Sequence, residues 1–220
     1  MSNFFTYSKI QESFFRDVGE KITIKEAYPL VWSHDDIPWV FFLESGLVKA
    51  CIHAHDNSDS ILGYFVPGAT FAQSGSFFST RTMKITYETI TPCEIYRVKP
   101  EVFWEKINTD IEFSNDYLKT VLRNNLLLID RIAYQNEKVL KQKIVMWLRF
   151  MYKYYGIENE NGHVIEIALT QETIAEFLHC SRESVSTTLK ELSNQGIISV
   201  EKKIITITDL ETLNELENFS

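Results

Sequence analysis

The sequence predicts an α+β chain: an antiparallel β-roll in the first half, a long helix, and two short helices with a β-hairpin in the last third. Three observations carry that reading. Residues 22–100 are short β-branched and aromatic runs cut by turn residues. Residues 101–155 contain neither Gly nor Pro and change to helical spacing. Residues 170–207 hold two capped helical patterns, then two short apolar runs around a charged tip.

The strands of the roll fall at 40–43, 47–53, 60–65, 84–90 and 93–98, with Ser45-Gly46, Pro67-Gly68 and Thr91-Pro92 as breaks. Many short strands at near-regular spacing suit a small antiparallel roll or barrel. The aromatic residues Phe4, Phe5, Phe14, Phe15, Trp32, Trp39, Phe77 and Phe78 read as its core rather than a ligand cage. Beyond Pro100, Leu118, Val121, Asn125, Leu128, Ile132, Gln135 and Val139 alternate three and four apart, a heptad seam that Leu122 and Ile129 widen. The favoured reading is a two-stranded dimerisation helix, with Asn125 fixing register from an interior position. The alternative is an ordinary helix packed on its own domain. Val145, Leu148, Tyr152 and Tyr155 form the apolar face of a following helix, and a polar loop at 158–162 precedes a strand at 163–167.

Thr170 is a good N-cap, Glu172 suits the helix dipole, and Ile174, Ala175 and Leu178 make one apolar face on which the small Ala175 admits a neighbouring helix. His179-Cys180 interrupts the pattern, and Ser181 caps a second helix at about 181–193. That helix buries Val185, Leu189 and Leu192 and exposes Arg182, Glu183, Ser186, Thr187 and Lys190. Two short helices joined by a tight turn, the second polar outside, form a helix-turn-helix with a recognition helix. After Gln195-Gly196, runs at 197–200 and 204–207 joined by Glu201-Lys202-Lys203 make a wing with a basic tip. Thr170, Gln171, Ser181, Arg182, Glu183, Ser186, Thr187, Lys190, Lys202 and Lys203 are therefore the candidate contacts to double-stranded DNA. Leu118, Val121, Asn125, Leu128 and Ile132 are the candidate dimer contacts. The domains divide as 1–108 (roll), 109–137 (dimerisation helix) and 138–220 (winged helix-turn-helix).

Charge argues against a bulk electrostatic mode. The chain of 220 residues carries a net charge of −8. Residues 138–220 hold 9 Lys/Arg against 12 Asp/Glu, and residues 1–137 hold 13 against 18. Neither half is a basic module, so DNA contact rests on a few placed cations and on dimerisation. Three cysteines (Cys51, Cys93, Cys180) form no CxxC pair, which excludes a disulfide framework, a zinc ribbon and a four-cysteine cluster. They read as reduced thiols, with one redox-sensing cysteine as the alternative. No stretch approaches roughly 18 uninterrupted apolar residues, and the N-terminus lacks the pattern of a secretory signal, so a cytoplasmic protein without membrane contact is expected. No Gly-rich phosphate loop, HExxH or nucleophile elbow points to an enzyme.

The segment 170–207, centred on Cys180-Ser181-Arg182-Glu183-Ser184-Val185, resembles the DNA-binding domain of the Crp/Fnr family of transcription regulators. The order of roll, long helix and helix-turn-helix matches that family as well, which makes the roll a cyclic-nucleotide-binding-like jelly roll. The resemblance implies that Arg182 and Glu183 read base edges of a palindromic site. Thr187 stands where the family has a further Arg, so the preferred half-site differs there. It also implies a homodimer, leaves RNA polymerase as a further partner, and leaves open a small-molecule or redox signal in the roll. The family's Gly-Glu pair for cyclic nucleotides falls on Ala72-Gln73, and its phosphate-holding Arg falls near Met83, with Arg81 displaced from register. Cyclic AMP is therefore not expected, although Gln73, Ser74 and Arg81 mark where an effector pocket would lie. No cysteine precedes Cys51, so the iron–sulfur cluster of oxygen-sensing members is not expected either. His53 and His55 share a strand face but have no third ligand at metal spacing. The competing class is a ligand-binding or protein-interaction module whose winged helix makes protein contacts.

Overall fold

The computed structural model describes residues 8–31, 38–53, 59–73, 85–160 and 162–218. Ser8 starts the first element: its hydroxyl accepts the Gln11 N–H at 3.1 Å and caps α1, Lys9–Val18. Gln11, Phe14 and Phe15 are its buried face. This helix lies in the stretch read only as part of the roll; its signal is a serine cap followed by apolar residues three and four apart.

Eight strands follow: β1 Glu20–Ile24, β2 Pro29–Val31, β3 Val40–Ser45, β4 Val48–His53, β5 Asp59–Phe65, β6 Thr70–Phe71, β7 Ile85–Thr89 and β8 Cys93–Val98. They form two antiparallel four-stranded sheets, ordered β1-β8-β3-β6 and β2-β7-β4-β5. Strand β3 is buried on both faces, which is why Val40-Phe41-Phe42-Leu43 is apolar without alternation. Phe41 and Leu43 pack between the sheets with Val48, Phe71, Tyr87 and Ile95. Phe71 stacks on Phe41 and Phe65 at centroid distances of 5.2 and 5.0 Å. Val40 and Phe42 face the other way, into a cluster with Phe14, Phe15, Val98, Phe103, Phe113 and Tyr117. The β3–β4 turn needs its glycine: Gly46 has φ +96°, and a Cβ there would stand 2.5 Å from the Pro92 carbonyl oxygen. Of the expected aromatic core, Phe14 and Phe15 are buried and Trp39 is half-buried beneath Arg97 and Lys99. Phe4, Phe5, Trp32, Phe77 and Phe78 lie outside the described residues.

The Gly- and Pro-free stretch is three helices: α2 Pro100–Thr109, α3 Ile111–Asn136 and α4 Leu140–Tyr155. Asp110 makes the first break, its carboxylate accepting the N–H groups of Glu112 and Phe113, both at 3.0 Å. Lys106, 2.7 Å away, together with those donors holds the Asp110 carboxyl below its usual range. The second break corrects the predicted seam: Val139 caps α4 and is not part of α3, so the heptad run ends at Gln135.

Helix α3 has two apolar faces. Phe113, Tyr117, Leu127 and Tyr134 are buried within the chain, on a run that Thr120, Asn124 and Arg131 complete at spacings of three and four. Leu118, Val121, Leu128 and Ile132 form a second stripe, 40–58% exposed, with exposed Asn125 among them. Contacts within the chain group into two units, one ending at Leu122 and the other starting at Arg123, so the division falls inside α3.

The second unit centres on α4, where Ile144, Val145, Trp147, Leu148, Phe150, Met151, Tyr154 and Tyr155 are all buried. Its remaining elements are β9 Gly156–Asn159, β10 Gly162–Ile165, α5 Gln171–Leu178, α6 Arg182–Asn194, β11 Ile198–Glu201, β12 Ile204–Ile207 and α7 Leu210–Asn218. Their sheet is ordered β11-β12-β10-β9. Within the stretch expected as a polar loop at 158–162, Glu158 and Asn159 instead belong to β9 and pair with His163 and Gly162 of β10, and the expected strand stops at Ile165 rather than 167. Helix α7 was not foreseen; Asp209 caps it by accepting the Thr212 N–H at 2.9 Å, and its buried anchor is Leu213.

Phe103 has no exposed surface and packs against the rings of Phe14, Phe15, Trp104, Phe113 and Tyr117. Phe103→Ala is expected to cost about 3–5 kcal/mol in urea denaturation. A loss below about 1 kcal/mol contradicts its place at the centre of that cluster.

Candidate nucleic-acid interface

Helix α5 starts at Thr170, whose hydroxyl accepts the Thr173 N–H at 3.0 Å. Ile174, Ala175, Phe177 and Leu178 turn inward, and Phe177 lies 6.2 Å from the ring of Trp147. The buried Arg131 guanidinium covers the same Phe177 ring at 5.6 Å. The helix ends at His179, which takes the left-handed conformation (φ 50°, ψ 53°) while its N–H bonds to the Ala175 carbonyl. A non-glycine residue in that conformation marks a sharp, specified bend.

Two residues later Ser181 opens α6, accepting the Ser184 N–H at 3.2 Å. Val185, Thr188, Leu189 and Leu192 bury the inner face. Arg182, Glu183, Thr187 and Lys190 are exposed on the other side, and Ser186 is half-exposed. Arg182 sits in the first turn, where the helix dipole disfavours a cation, so its stability contribution there is not what recommends it. The hydroxyl of Thr187 donates to the Glu183 carbonyl at 2.9 Å, which leaves its methyl group as the feature not engaged in that bond. Gly196, at φ +73°, ends the helix and returns the chain to the wing.

The wing is tighter than expected. Glu201 belongs to β11 and pairs with Ile204, so the loop is Lys202-Lys203 alone. Both lysines have positive φ, 49° and 71°, as a two-residue type I′ turn requires. Asn and Gly are the residues that take this geometry cheaply, so a lysine pair stores backbone strain. The Leu169 N–H bonds to the Lys203 carbonyl at 2.8 Å, tying the tip to the residue before the Thr170 cap. Thr170 and Gln171 are half-buried beside that tie, and both lysines are exposed. The candidate contacts thus come from three places within one unit: the start of α5, the outer face of α6 and the wing tip.

In the roll, Ala72 has φ 66° and is buried, with a hydrogen bond joining its backbone to the Tyr87 hydroxyl. Burial pushes Tyr87 up to about 12. Gln73 is half-buried and hydrogen-bonds the Tyr117 side chain. Ser74, Arg81, Met83 and His55 lie outside the described residues, as does the side chain of His53. Among the described residues no group of three His, Cys, Asp or Glu side chains is placed to hold a metal. Cys51 and Cys93 are buried and Cys180 is half-buried. Burial raises the thiols of Cys93 and Cys180 above their ordinary value, the reverse of what activates a reactive cysteine.

A β-roll, a long helix and a winged helix-turn-helix define a DNA-binding transcription regulator. Residues 28–110 match the model of the cyclic nucleotide-binding domain, and residues 142–216 match that of the Crp-like helix-turn-helix domain. The chain is 26% identical over 184 residues to the lactate racemization regulatory protein of Lactiplantibacillus plantarum, covering 80% of each. It is 24% identical over 181 residues to the cAMP-activated global transcriptional regulator CRP of Pasteurella multocida, covering 81% of this chain and 85% of that one. Its fold matches a CooA variant from Carboxydothermus hydrogenoformans with a TM-score of 0.77, at 18% identity over 93% of this chain and 90% of that one. The chain belongs to the Crp/Fnr family of transcription regulators and is a sequence-specific DNA-binding protein, not an enzyme. No helix among the described residues is long and apolar enough to cross a membrane.

The cap at Ser181 sets where the recognition helix begins. Ser181→Ala is expected to lower stability by about 1 kcal/mol, and Ser181→Gly by a few tenths. Equal denaturation midpoints for the alanine variant and the parent chain would show that this cap contributes nothing.

Proposed function

We propose that the chain acts in the cytoplasm as a homodimer that reads a palindromic DNA site, each protomer inserting α6 into the major groove. The observation that carries this is the outer face of α6: an exposed Arg182-Glu183 pair in its first turn, set by the Ser181 cap over a buried Val185, Leu189 and Leu192 face. Arg182 donates to guanine O6 and N7, and Glu183 accepts from cytosine N4. Thr187 meets a thymine methyl through its own methyl group. Thr170, Gln171, Ser181, Ser186, Lys190, Lys202 and Lys203 serve the backbone and fix register. The strained turn at Lys202-Lys203 supports a phosphate role, since strain at that tip is offset by placing two cations beside the start of α5. In this reading residues 1–108 are the sensor, 109–137 the dimerisation helix and 138–220 the DNA-binding domain.

The dimer reading rests on the exposed α3 stripe. Leu118, Val121, Leu128 and Ile132 form a contiguous apolar seam of the kind two helices cover mutually, with Asn125 setting register. RNA polymerase is the further partner, and a small molecule in the roll is the signal. The Ala72-Gln73 sequence disfavours a cyclic nucleotide, because Gln73 offers the ribose a weaker acceptor than a carboxylate. The absence of any cysteine before Cys51 disfavours an iron–sulfur cluster.

Selection from a randomised duplex pool should enrich a two-fold symmetric site with half-sites about one helical turn apart. On that site Arg182→Ala is expected to cost on the order of 1–3 kcal/mol and to relax preference at one G·C pair. Equal loss on every sequence would instead make Arg182 a phosphate contact, and no enrichment at low salt would favour a protein-binding wing. Ile132→Lys is expected to yield a monomer in sedimentation equilibrium and to weaken site binding more than tenfold. A lysine variant that stays dimeric places the interface elsewhere.

A further inference from the structure

Gln11 is a polar side chain only 1% exposed, and three parts of the first unit meet on it. Its Nε2 donates to Asp116 Oδ2 at 2.8 Å and to Thr120 Oγ1 at 3.0 Å, both on α3. Its Oε1 accepts the hydroxyl of Thr70, at the start of β6, at 2.7 Å. Ser8 donates its hydroxyl to the same Asp116 oxygen. Both amide hydrogens are used, and the carbonyl oxygen is engaged on the side of the roll. A carboxamide is the side chain that suits this place: two donors toward α3 and one acceptor toward β6. Glutamate would set a second carboxylate against Asp116, and leucine would leave Thr70, Asp116 and Thr120 short of partners.

A second connection runs parallel to the first. Three residues after Thr70, the side chain of Gln73 hydrogen-bonds Tyr117, which lies between Asp116 and the seam residue Leu118. The stretch 70–73 therefore reaches α3 by two routes, through Gln11 to Asp116 and Thr120 and through Gln73 to Tyr117, within a little over one helical turn. Leu118 and Val121, the first seam positions, follow Tyr117 and Thr120 directly in the chain. Buried polar networks of this kind fix one arrangement of the elements they join, because each partner left unpaired costs free energy.

We infer that Gln11 is a positioning residue that couples the 70–73 segment of the roll to helix α3, so that a change in that segment reaches the DNA-binding activity through its amide. The inference rests on the reading of α3 as the dimerisation helix. The direct Gln73–Tyr117 bond holds the same segment and helix together. Gln11 adds a link that spans α1 as well, which makes the first helix part of the transmission rather than a cover for the core.

The test is a double-mutant cycle on the full chain, with Thr70→Val and Thr120→Val, each near-isosteric, read as Kd for the selected DNA site. With Gln11 present, the double variant is expected to depart at least threefold from the product of the single effects. In a Gln11→Leu background, or Gln11→Met should the leucine chain not fold, the effects are expected to multiply. Multiplicative effects with Gln11 present overturn the inference, as does a departure that persists unchanged without it. Denaturation midpoints of the same variants restrict the cycle to chains that stay fully folded at the assay temperature, because partial unfolding by itself makes apparent Kd values depart from a product. Sedimentation equilibrium on the parent chain reports the dimer separately: a monomeric parent sinks the dimer reading, while the cycle on DNA still decides the coupling.

Discussion

The constraint on which the molecule turns is that α3 is apolar on two sides and one chain covers only one of them. Phe113, Tyr117, Leu127 and Tyr134 are buried by the helix's own chain. Leu118, Val121, Leu128 and Ile132 remain in water, and Leu122, Leu126 and Ile129 beside them are about half exposed. A helix of 26 residues runs about 39 Å, so this is a long stripe rather than a scatter of single side chains. Within the first unit, Phe113 and Tyr117 join the ring cluster, and Asp116 and Thr120 join the Gln11 network. Within the second unit, the Asp130 carboxylate accepts from the Tyr154 hydroxyl at 2.7 Å and pairs with Lys153 at 2.6 Å.

The winged helix-turn-helix is built for rigidity on the face proposed to meet DNA. Thr170 and Ser181 cap the two helices, His179 takes the left-handed bend between them, and the Lys203 carbonyl ties the wing to Leu169. Each of these is a local device, and together they fix the exposed side chains of α5, α6 and the wing relative to one another. That precision matters because the chain is acidic overall. A protein without a broad positive field gains little from loosely held lysines; a few cations in fixed places must supply both affinity and register.

What could be read from sequence follows from how local each signal is. The helix-turn-helix was legible almost residue by residue, because caps, a stop glycine and three- and four-residue spacing are all local. The seam on α3 was legible for the same reason, and overran only where Val139 continued the spacing past the break at residues 137–138. The second, inward seam on α3 was missed because Thr120, Asn124 and Arg131 interrupt it with polar residues, which are tolerated where hydrogen bonds and ring contacts receive them. Helix α1 and helix α7 were missed because each is short and draws its stability from burying a few residues, such as Phe15 and Leu213, in a core assembled elsewhere. The hairpin of β9 and β10 was hidden by a polar sequence: Glu158 and Asn159 pair through the backbone with His163 and Gly162 while their side chains stay in solvent.

One small feature of the recognition helix bears on chromosomal chemistry. The Thr187 hydroxyl is turned back onto the Glu183 carbonyl, so in the proposed docking the side chain meets the groove with its methyl group. A methyl group responds to the substituent at C5 of a pyrimidine and is indifferent to the Watson–Crick edge. Thymine and 5-methylcytosine carry the same C5 methyl, so under the proposed docking an epigenetic mark on cytosine opposite Thr187 would imitate a change of base.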